Sequence, residues 1–427
     1  MKYRIKNGML LLYSDNKFFI KKDDLFINGT KIESVGNNSV CNTECYEVID
    51  AENKLIIPGL INSHTHVYMN FMKNSADDVP FDDWLYKRIF PVEARMEKKD
   101  FYWSTMLGLI EMIKTGTTCY LDMHICHDEC AKAAKDAGVR AFIGKCLTGT
   151  DLYADGYESF KNALAEKDKY ESDLIKFVLS PHSVYACSPE FLKQVSSEAQ
   201  NRGMLKHIHL SESHNEVKKC LSEYGRTPVE ILRDTGFLDD KTIAAHCVKL
   251  STGDINILRE KRVNVVTNPS SNAKLGNGIA PVPALMKSGV NVCLGTDSAA
   301  SNNTLNMFRE MGIFSFIHKA NNESATELCA DAVLGCATVN AAKALGMETK
   351  TGVISEGAYA DLVFIDLNSI SLFPNNNIIS SLCYSANGSE VESVMIGGRF
   401  VMKNRILTTI DAERVCYEVE KITRKNI

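Results

Sequence analysis

The feature that most limits how this chain can fold is a rhythm in its middle. Eight short apolar runs, at residues 55–57, 117–121, 140–143, 176–179, 207–210, 242–245, 263–266 and 290–294, are interleaved with stretches of helical periodicity such as 104–114, 129–137 and 190–201. Each run is too short for a helix and suits a buried strand. Strands joined through helices do not close as hairpins; they lie parallel, with each helix crossing back over the sheet. Eight such units predict an α/β fold, a (β/α)8 TIM-like barrel. An open doubly wound sheet has the same local grammar, but no glycine-rich phosphate loop follows an early strand here.

The two chain ends read differently. Short strand candidates at 4–5, 9–13, 17–20, 24–27 and 31–35 are divided by Asn-Gly, Ser-Asp-Asn and Gly-Asn-Asn turn signals. The same texture returns at 361–365, 391–396 and 399–402, around Gly397-Gly398. Neither end has enough strand to bury a core alone. Together they predict one small β-sandwich domain built from residues 1–58 and 353–427, with the barrel spanning 59–352.

Charge narrows the function classes. Lys+Arg 48 against Asp+Glu 53 gives −5, with no long basic block, which argues against electrostatic capture of nucleic acid or an anionic membrane. No apolar stretch has the length of a membrane span, and Met1-Lys2-Tyr3-Arg4 opens no signal peptide. The 14 cysteines are scattered. Cys41/Cys45 and Cys126/Cys130 are four apart but lack a second pair to complete a structural zinc site. Reduced thiols in a cytoplasmic protein are expected.

In a barrel, chemistry gathers at the C-terminal ends of the strands. Directly after the first run comes Pro58-Gly59-Leu60-Ile61-Asn62-Ser63-His64-Thr65-His66. Residues two apart on a strand share a face, so both imidazoles are presented side by side, as metal ligands must be. The pair alone is weak evidence, since ten histidines in 427 residues predict roughly 0.2 chance occurrences of His-x-His. What strengthens it lies further along. His209 follows the fifth run, in His207-Ile208-His209-Leu210-Ser211-Glu212, and Asp297 follows the eighth, in Leu294-Gly295-Thr296-Asp297-Ser298. Three imidazoles and a carboxylate predict a site for Zn²⁺ or Fe²⁺ with one position left for a water whose pKa falls toward ~7. Glu212 is placed to shuttle a proton, and His246, after Ala244-Ala245, to orient or polarise the nucleophile. His182, in Ser180-Pro181-His182, reads as a substrate contact, and His207 as a core or supporting residue one layer deeper than His209. His124 and His127 read as loop residues, and His214 and His318 as solvated or half-buried helical ones. Asp297 has a second reading as a helix N-cap.

On these residues the chain resembles the amidohydrolase superfamily, in its branch of single-metal nucleobase and nucleoside deaminases, and most of all the 5′-methylthioadenosine/S-adenosylhomocysteine deaminase family. The resemblance covers nearly the whole chain. Besides the His64/His66 segment, it includes residues 76–85 with Trp84, Ile89-Phe90-Pro91-Val92-Glu93-Ala94, Ser180-Pro181-His182 with Cys187-Ser188-Pro189-Glu190, residues 207–212 and Ala244-Ala245-His246-Cys247. Its most specific piece is Thr267-Asn268-Pro269-Ser270-Ser271-Asn272-Ala273-Lys274-Leu275, running on through 278–283 to 295–303.

The resemblance implies one divalent metal per chain, zinc first and iron second, held by His64, His66, His209 and Asp297. It implies attack of the activated water on C6 of an adenine ring, with Glu212 protonating N1 and managing the water proton, His246 and Asp297 assisting, and ammonia leaving. Glu93 would contact the ribose hydroxyls, both of which can donate to one carboxylate, and Trp84, His182 and Ser301 would line the pocket. Related two-metal barrels bridge their ions with a carboxylated lysine at the fourth strand end. Ser180-Pro181-His182 stands there in this chain, so one metal is expected.

The chain also departs from the pattern. Members that hold the amino-acid tail of S-adenosylhomocysteine do so with arginines after the third strand; Lys145 stands at the aligned position and is the expected contact, although lysine cannot make the flat two-pronged pair. Thr148-Gly149-Thr150-Asp151 adds no arginine, and Ser183-Val184-Tyr185-Ala186 differs from the usual Ala-Pro-Tyr-Thr. A neutral 5′ substituent, as in methylthioadenosine, 5′-deoxyadenosine or adenosine, fits at least as well. Three readings follow: a deaminase of a small adenosine-type nucleoside; a guanine or pterin deaminase or triazine aminohydrolase or chlorohydrolase on the same mononuclear site; or an inactive barrel that binds a ligand or partner. Glu93 with Trp84 favours a ribose-bearing substrate. A full metal set beside Glu212 disfavours the inactive barrel, since a binder needs no proton shuttle. Barrel enzymes of this kind often form homo-oligomers, but no stretch identifies an interface.

Overall fold

The computed structural model describes residues 1–36 and 45–427; Cys41 lies outside them. The central rhythm becomes an eight-stranded, all-parallel sheet in sequence order, with strands Leu60–Thr65, Thr117–His124, Arg140–Leu147, Ile175–Pro181, Lys206–Leu210, Thr242–His246, Asn264–Thr267 and Asn291–Leu294. The ring closes where strand eight meets strand one: the Asp297 amide donates to the His64 carbonyl at 3.0 Å, and the Thr296 amide donates to Asn62 Oδ1 at 3.0 Å. A Cβ on Gly295 would stand 2.8 Å from both the amide nitrogen and the carbonyl oxygen of His64. Glycine is needed there for the two strands to close at this level.

One expectation is corrected. The run at 55–57 is not the first barrel strand. It belongs to Lys54–Pro58, which pairs antiparallel with Leu362–Asp366 and parallel with Met9–Ser14. The barrel begins two residues later, at Leu60, and His64 therefore lies inside the strand rather than beyond it. The turn between the two strands is tight, because a Cβ on Gly59 would fall 1.9 Å from Thr118 Oγ1.

The misreading has a physical cause. Met9–Ser14, Lys17–Lys22 and Lys54–Pro58 join Leu362–Asp366, Val391–Ile396, Arg399–Lys403 and Ile406–Leu407 in a seven-stranded sheet. One face of it, with Leu10, Ile56, Leu362 and Met395, packs on a four-stranded sheet of Lys2–Lys6, Leu25–Asn28, Lys31–Val35 and Glu47–Asp50. The other face, with Leu11, Leu55, Ile57 and Val363, joins the core of the barrel's outer layer. A strand covered on both faces reads as a continuous apolar run, as a barrel strand does.

Inside the barrel, Ile61, Cys119, Leu121, Phe142, Val178, Ile243, Val266 and Cys293 meet Ala341 and Ala342 of helix Val339–Ala344, which closes the lower end. A buried pair links barrel and sandwich: Arg140 donates to both carboxylate oxygens of Asp361, at 2.8 and 3.1 Å. Both chain ends thus build the sandwich. We propose the division into domains as residues 1–58 with 353–427, and 59–352. The final helix, Ala412–Asn426, lies against barrel helix Lys98–Lys114 instead of the sheets. Among the described residues, no helix is long and apolar enough to cross a membrane.

Candidate active site

The upper rim of the barrel gathers the histidines, and their hydrogen bonds decide which nitrogen each offers. His66 Nδ1 lies 2.8 Å from the Met123 carbonyl and His209 Nδ1 2.8 Å from the His182 carbonyl. A carbonyl accepts and never donates, so both Nδ1 atoms carry the proton and both Nε2 atoms are bare lone pairs in the neutral ring. Those two Nε2 atoms face each other at 3.2 Å. His64 Nδ1 sits 2.9 Å from His207 Nε2, and His64 Nε2 is buried without a hydrogen-bond partner. Burial pushes His64 down to about 4 and His209 well below the usual range, which keeps these rings neutral.

The carboxylate completes the set. Asp297 Oδ1 is 3.4 Å from His64 Nε2 and 3.5 Å from His66 Nε2. Its Oδ2 accepts from Ser271 Oγ at 2.6 Å and Ser301 Oγ at 2.9 Å. Burial opposes charge on Asp297, and its carboxyl falls below the ordinary range only with positive charge at the facing imidazole nitrogens. Lone pairs converging at such distances repel unless a cation lies among them. Three imidazole nitrogens and one carboxylate oxygen are a donor set that Zn²⁺ or Fe²⁺ fits, and the unpartnered His64 Nε2 is the atom such a cation would satisfy.

Simple alternation does not deliver all of these side chains. Ile61 belongs to the barrel interior, yet His64, three residues on, also faces inward. Between Asn62 and Thr65 strand one has an extra residue relative to Tyr120 and Asp122 of strand two, a bulge that flips the parity. In strand six, Ile243 faces the interior and Ala244 the outer layer, which would send His246 outward. Left-handed backbone at His246 (φ 73°) and Cys247 (φ 48°) turns the imidazole into the mouth instead. Asp297 (φ 58°) and Ser211 (φ 50°) are left-handed too.

Around this cluster opens a cavity of about 830 Å³, counted to its open mouth. Glu212 lines it, buried, with Oε1 accepting from Asn277 Nδ2 at 3.0 Å. Burial, and then the charge of Asp297, push the Glu212 carboxyl well above its ordinary range. The Glu216 carboxylate accepts from the amides of Ser211 and Glu212 at 3.1 and 2.7 Å, and so holds the loop that presents Glu212. His246 Nδ1 lies 2.8 Å from Asn272 Oδ1, which leaves Nε2 free. At the other end Glu93 accepts from the Tyr68 hydroxyl, and burial raises its carboxyl. Trp84 and His182 also line the cavity, and Trp84 Nε1 is buried without a partner.

Two expected substrate contacts lie elsewhere. Ser301 is buried against Asp297 and off the cavity lining. Lys145 shares the outward face of strand three with Ile143 and Leu147, while Cys146, on the inward face, takes the lining position. Other histidines are corrected as well. His124 ends strand two, its ring between the Cys126 amide (2.9 Å) and Thr105 Oγ1 (3.2 Å). His127 opens a helix and pairs, buried, with Glu166, and His318 is 1% exposed. With both ring nitrogens of His124 engaged, its grouping with Asp122 and Cys130 has no free imidazole lone pair to offer a metal. Sequence reasoning missed Tyr68, Tyr185, Cys146, Ser271 and Asn277. Ser271 stands inside the 267–275 motif and Tyr68 two residues past His66, so those two were within reach of the motif and of alternation.

Comparison with known proteins places the chain in a family. The model of the amidohydrolase family matches residues 55–401. The chain is 42% identical to a 5-methylthioadenosine/S-adenosylhomocysteine deaminase of Caldanaerobacter subterraneus subsp. tengcongensis, over 99% of this chain and 98% of that protein. It is 40% identical to a 5′-deoxyadenosine deaminase of Methanocaldococcus jannaschii, over 94% and 96%. An adenosine deaminase from Xanthomonas campestris, crystallised with bound zinc, superimposes with a TM-score of 0.94 at 30% identity over 99% of this chain and 98% of that one. The chain belongs to the amidohydrolase family.

Proposed function

We propose that this protein is a metal-dependent hydrolase that deaminates an adenosine-type nucleoside to its inosine analogue and ammonia. The proposed ligands are His64, His66, His209 and Asp297, for one divalent ion per chain, zinc before iron. A divalent cation bound there supplies Lewis acidity, lowering the pKa of a water toward ~7. The single observation that carries the reading is the convergence of bare imidazole lone pairs and a carboxylate beside Glu212, a buried carboxyl whose burial raises its proton affinity.

Glu212 is assigned both proton tasks. A general acid must be protonated at working pH and reach the reacting ring. Fixed through Oε1 by Asn277, it offers its other oxygen to the cavity. Protonating ring nitrogen N1 withdraws electron density from C6 and opens that carbon to attack. Once the water proton has moved to Glu212, the same carboxyl delivers it to the departing amino group, which leaves as ammonia, and the remaining C6 hydroxyl proton returns to Glu212 as the carbonyl of the product forms. His246, tied through Nδ1 to Asn272, presents Nε2 as an acceptor that orients the attacking water. Glu93, with one oxygen taken by Tyr68, keeps the other for a ribose hydroxyl; Trp84 and His182 bound the remaining wall. The named activities of the relatives support an adenosine nucleoside, and the buried thiols, Cys119, Cys247 and Cys293 among them, suit the cytoplasmic setting we infer.

Purified protein is expected to hold about one zinc or iron per chain and to release ammonia from adenosine nucleosides. Two ions per chain, or ammonia from guanine alone in a panel of nucleosides and bases, would refute this reading.

A further inference from the structure

We infer that the cavity selects adenosine nucleosides whose 5′ substituent is uncharged and discriminates against those that end in a free amino acid. This inference rests on the nucleoside reading above and deepens it.

The sugar end of the cavity is marked by Glu93, the carboxylate assigned to the ribose, which touches Tyr68 and lies near Cys146. Tyr68, Met69, Phe90, Ile125, Cys146 and Thr148 share that cavity. All six are neutral at pH 7, and the carboxyl groups along the wall are those of Glu93, Glu212 and Asp297. Among the described residues, every lysine and arginine stands off the lining. Lys145 is the instructive one, because strand alternation turns it to the outer face and leaves a thiol in its place. A free α-carboxylate entering this space would give up water, find no cation and stand near the like charge of Glu93. An unpaired charge brought out of water is costly. The ammonium of such a tail could reach Glu93 only by displacing the ribose contact. A methyl or methylthio group instead buries apolar surface against Met69, Phe90 and Ile125.

The metal-loaded enzyme is assayed for ammonia release from 5′-methylthioadenosine, 5′-deoxyadenosine and S-adenosylhomocysteine, and the Kd of the first and last is measured calorimetrically on the Glu212→Gln variant. We expect kcat/KM to favour the two uncharged nucleosides by at least ~10-fold, with the difference in KM and Kd and little in kcat. S-adenosylhomocysteine within about threefold of methylthioadenosine, or preferred to it, overturns the inference while leaving the deaminase reading intact. Thr148 is exposed at the mouth. A folded Thr148→Arg enzyme is expected to shift the ratio toward S-adenosylhomocysteine by about 10-fold, and an unmoved ratio counts against charge as the cause. Ammonia from guanine but from no adenosine nucleoside removes both readings together.

Discussion

At the lower end of the barrel, Ile61, Leu121, Phe142, Val178, Ile243 and Val266 pack against Ala341 and Ala342 in one apolar cluster. At the upper rim, some of the same strands end in buried imidazoles and carboxylates, left-handed residues at Ser211, His246 and Asp297, a bulge in strand one and an unpartnered His64 Nε2. Left-handed backbone at a non-glycine residue costs on the order of 1–3 kcal/mol, and an unpaired buried polar atom a comparable amount. The lower end is built as a folding core would be, and the rim as nothing selected for stability alone would be. The strands carry both, so the stability of one end offsets the strain of the other.

The separation makes demands on variants. Glu212→Gln should reduce ammonia release by a factor on the order of 10²–10⁴ while leaving metal content and Tm close to those of the parent; a matching fall in Tm would mean that the rim supports the fold. Phe142→Ala, at the opposite end, should cost about 3–5 kcal/mol of stability in denaturant melts and leave kcat/KM at 25 °C within a few-fold; a loss of activity in proportion would show that the two ends are not independent. His207 lies between them, one layer below the proposed ligands. His207→Gln should weaken metal affinity about 10–100-fold in a chelator competition, because His64 loses the partner that orients its ring.

The smallest effect concerns a support of the rim. Glu310 accepts from the Ser270 amide and hydroxyl at 2.9 and 2.7 Å and from Asn302 at 2.8 Å, tying the segments after strands seven and eight. Burial pushes its carboxyl up to about 7. The folded state therefore holds this proton more tightly than the unfolded chain. The resulting stability is full below the unfolded pKa of ~4.3 and is lost as pH rises through the folded value. Melts at pH 5, 6.5 and 8 should show the parent losing on the order of 1–2 kcal/mol more than Glu310→Gln across that range. Parallel curves would mean that the group is ionised throughout.

Much of this is legible in the sequence. The alternation of short apolar runs with helices dictated a parallel barrel, and the positions of His64, His66, His209, Glu212 and Asp297 near strand ends dictated a shared rim. Three readings went astray for physical reasons. The run at 55–57 looked like a barrel strand because both its faces are covered. Lys145 was matched by position in the chain, whereas its orientation depends on which parity of strand three faces inward. Ser301 was expected on the pocket wall, but its hydroxyl is taken by Asp297.

What the sequence determines is local: periodicity, the order of elements and the identity of the groups arriving at each strand end, all set by neighbours along the chain. What needed the folded molecule is parity and tautomer. Whether His64 and His246 point inward turns on a bulge paired with strand two and on two left-handed residues, and which nitrogen His66 and His209 present turns on the carbonyls of Met123 and His182. Those partners are far off in the chain and come within hydrogen-bonding range only when the barrel closes.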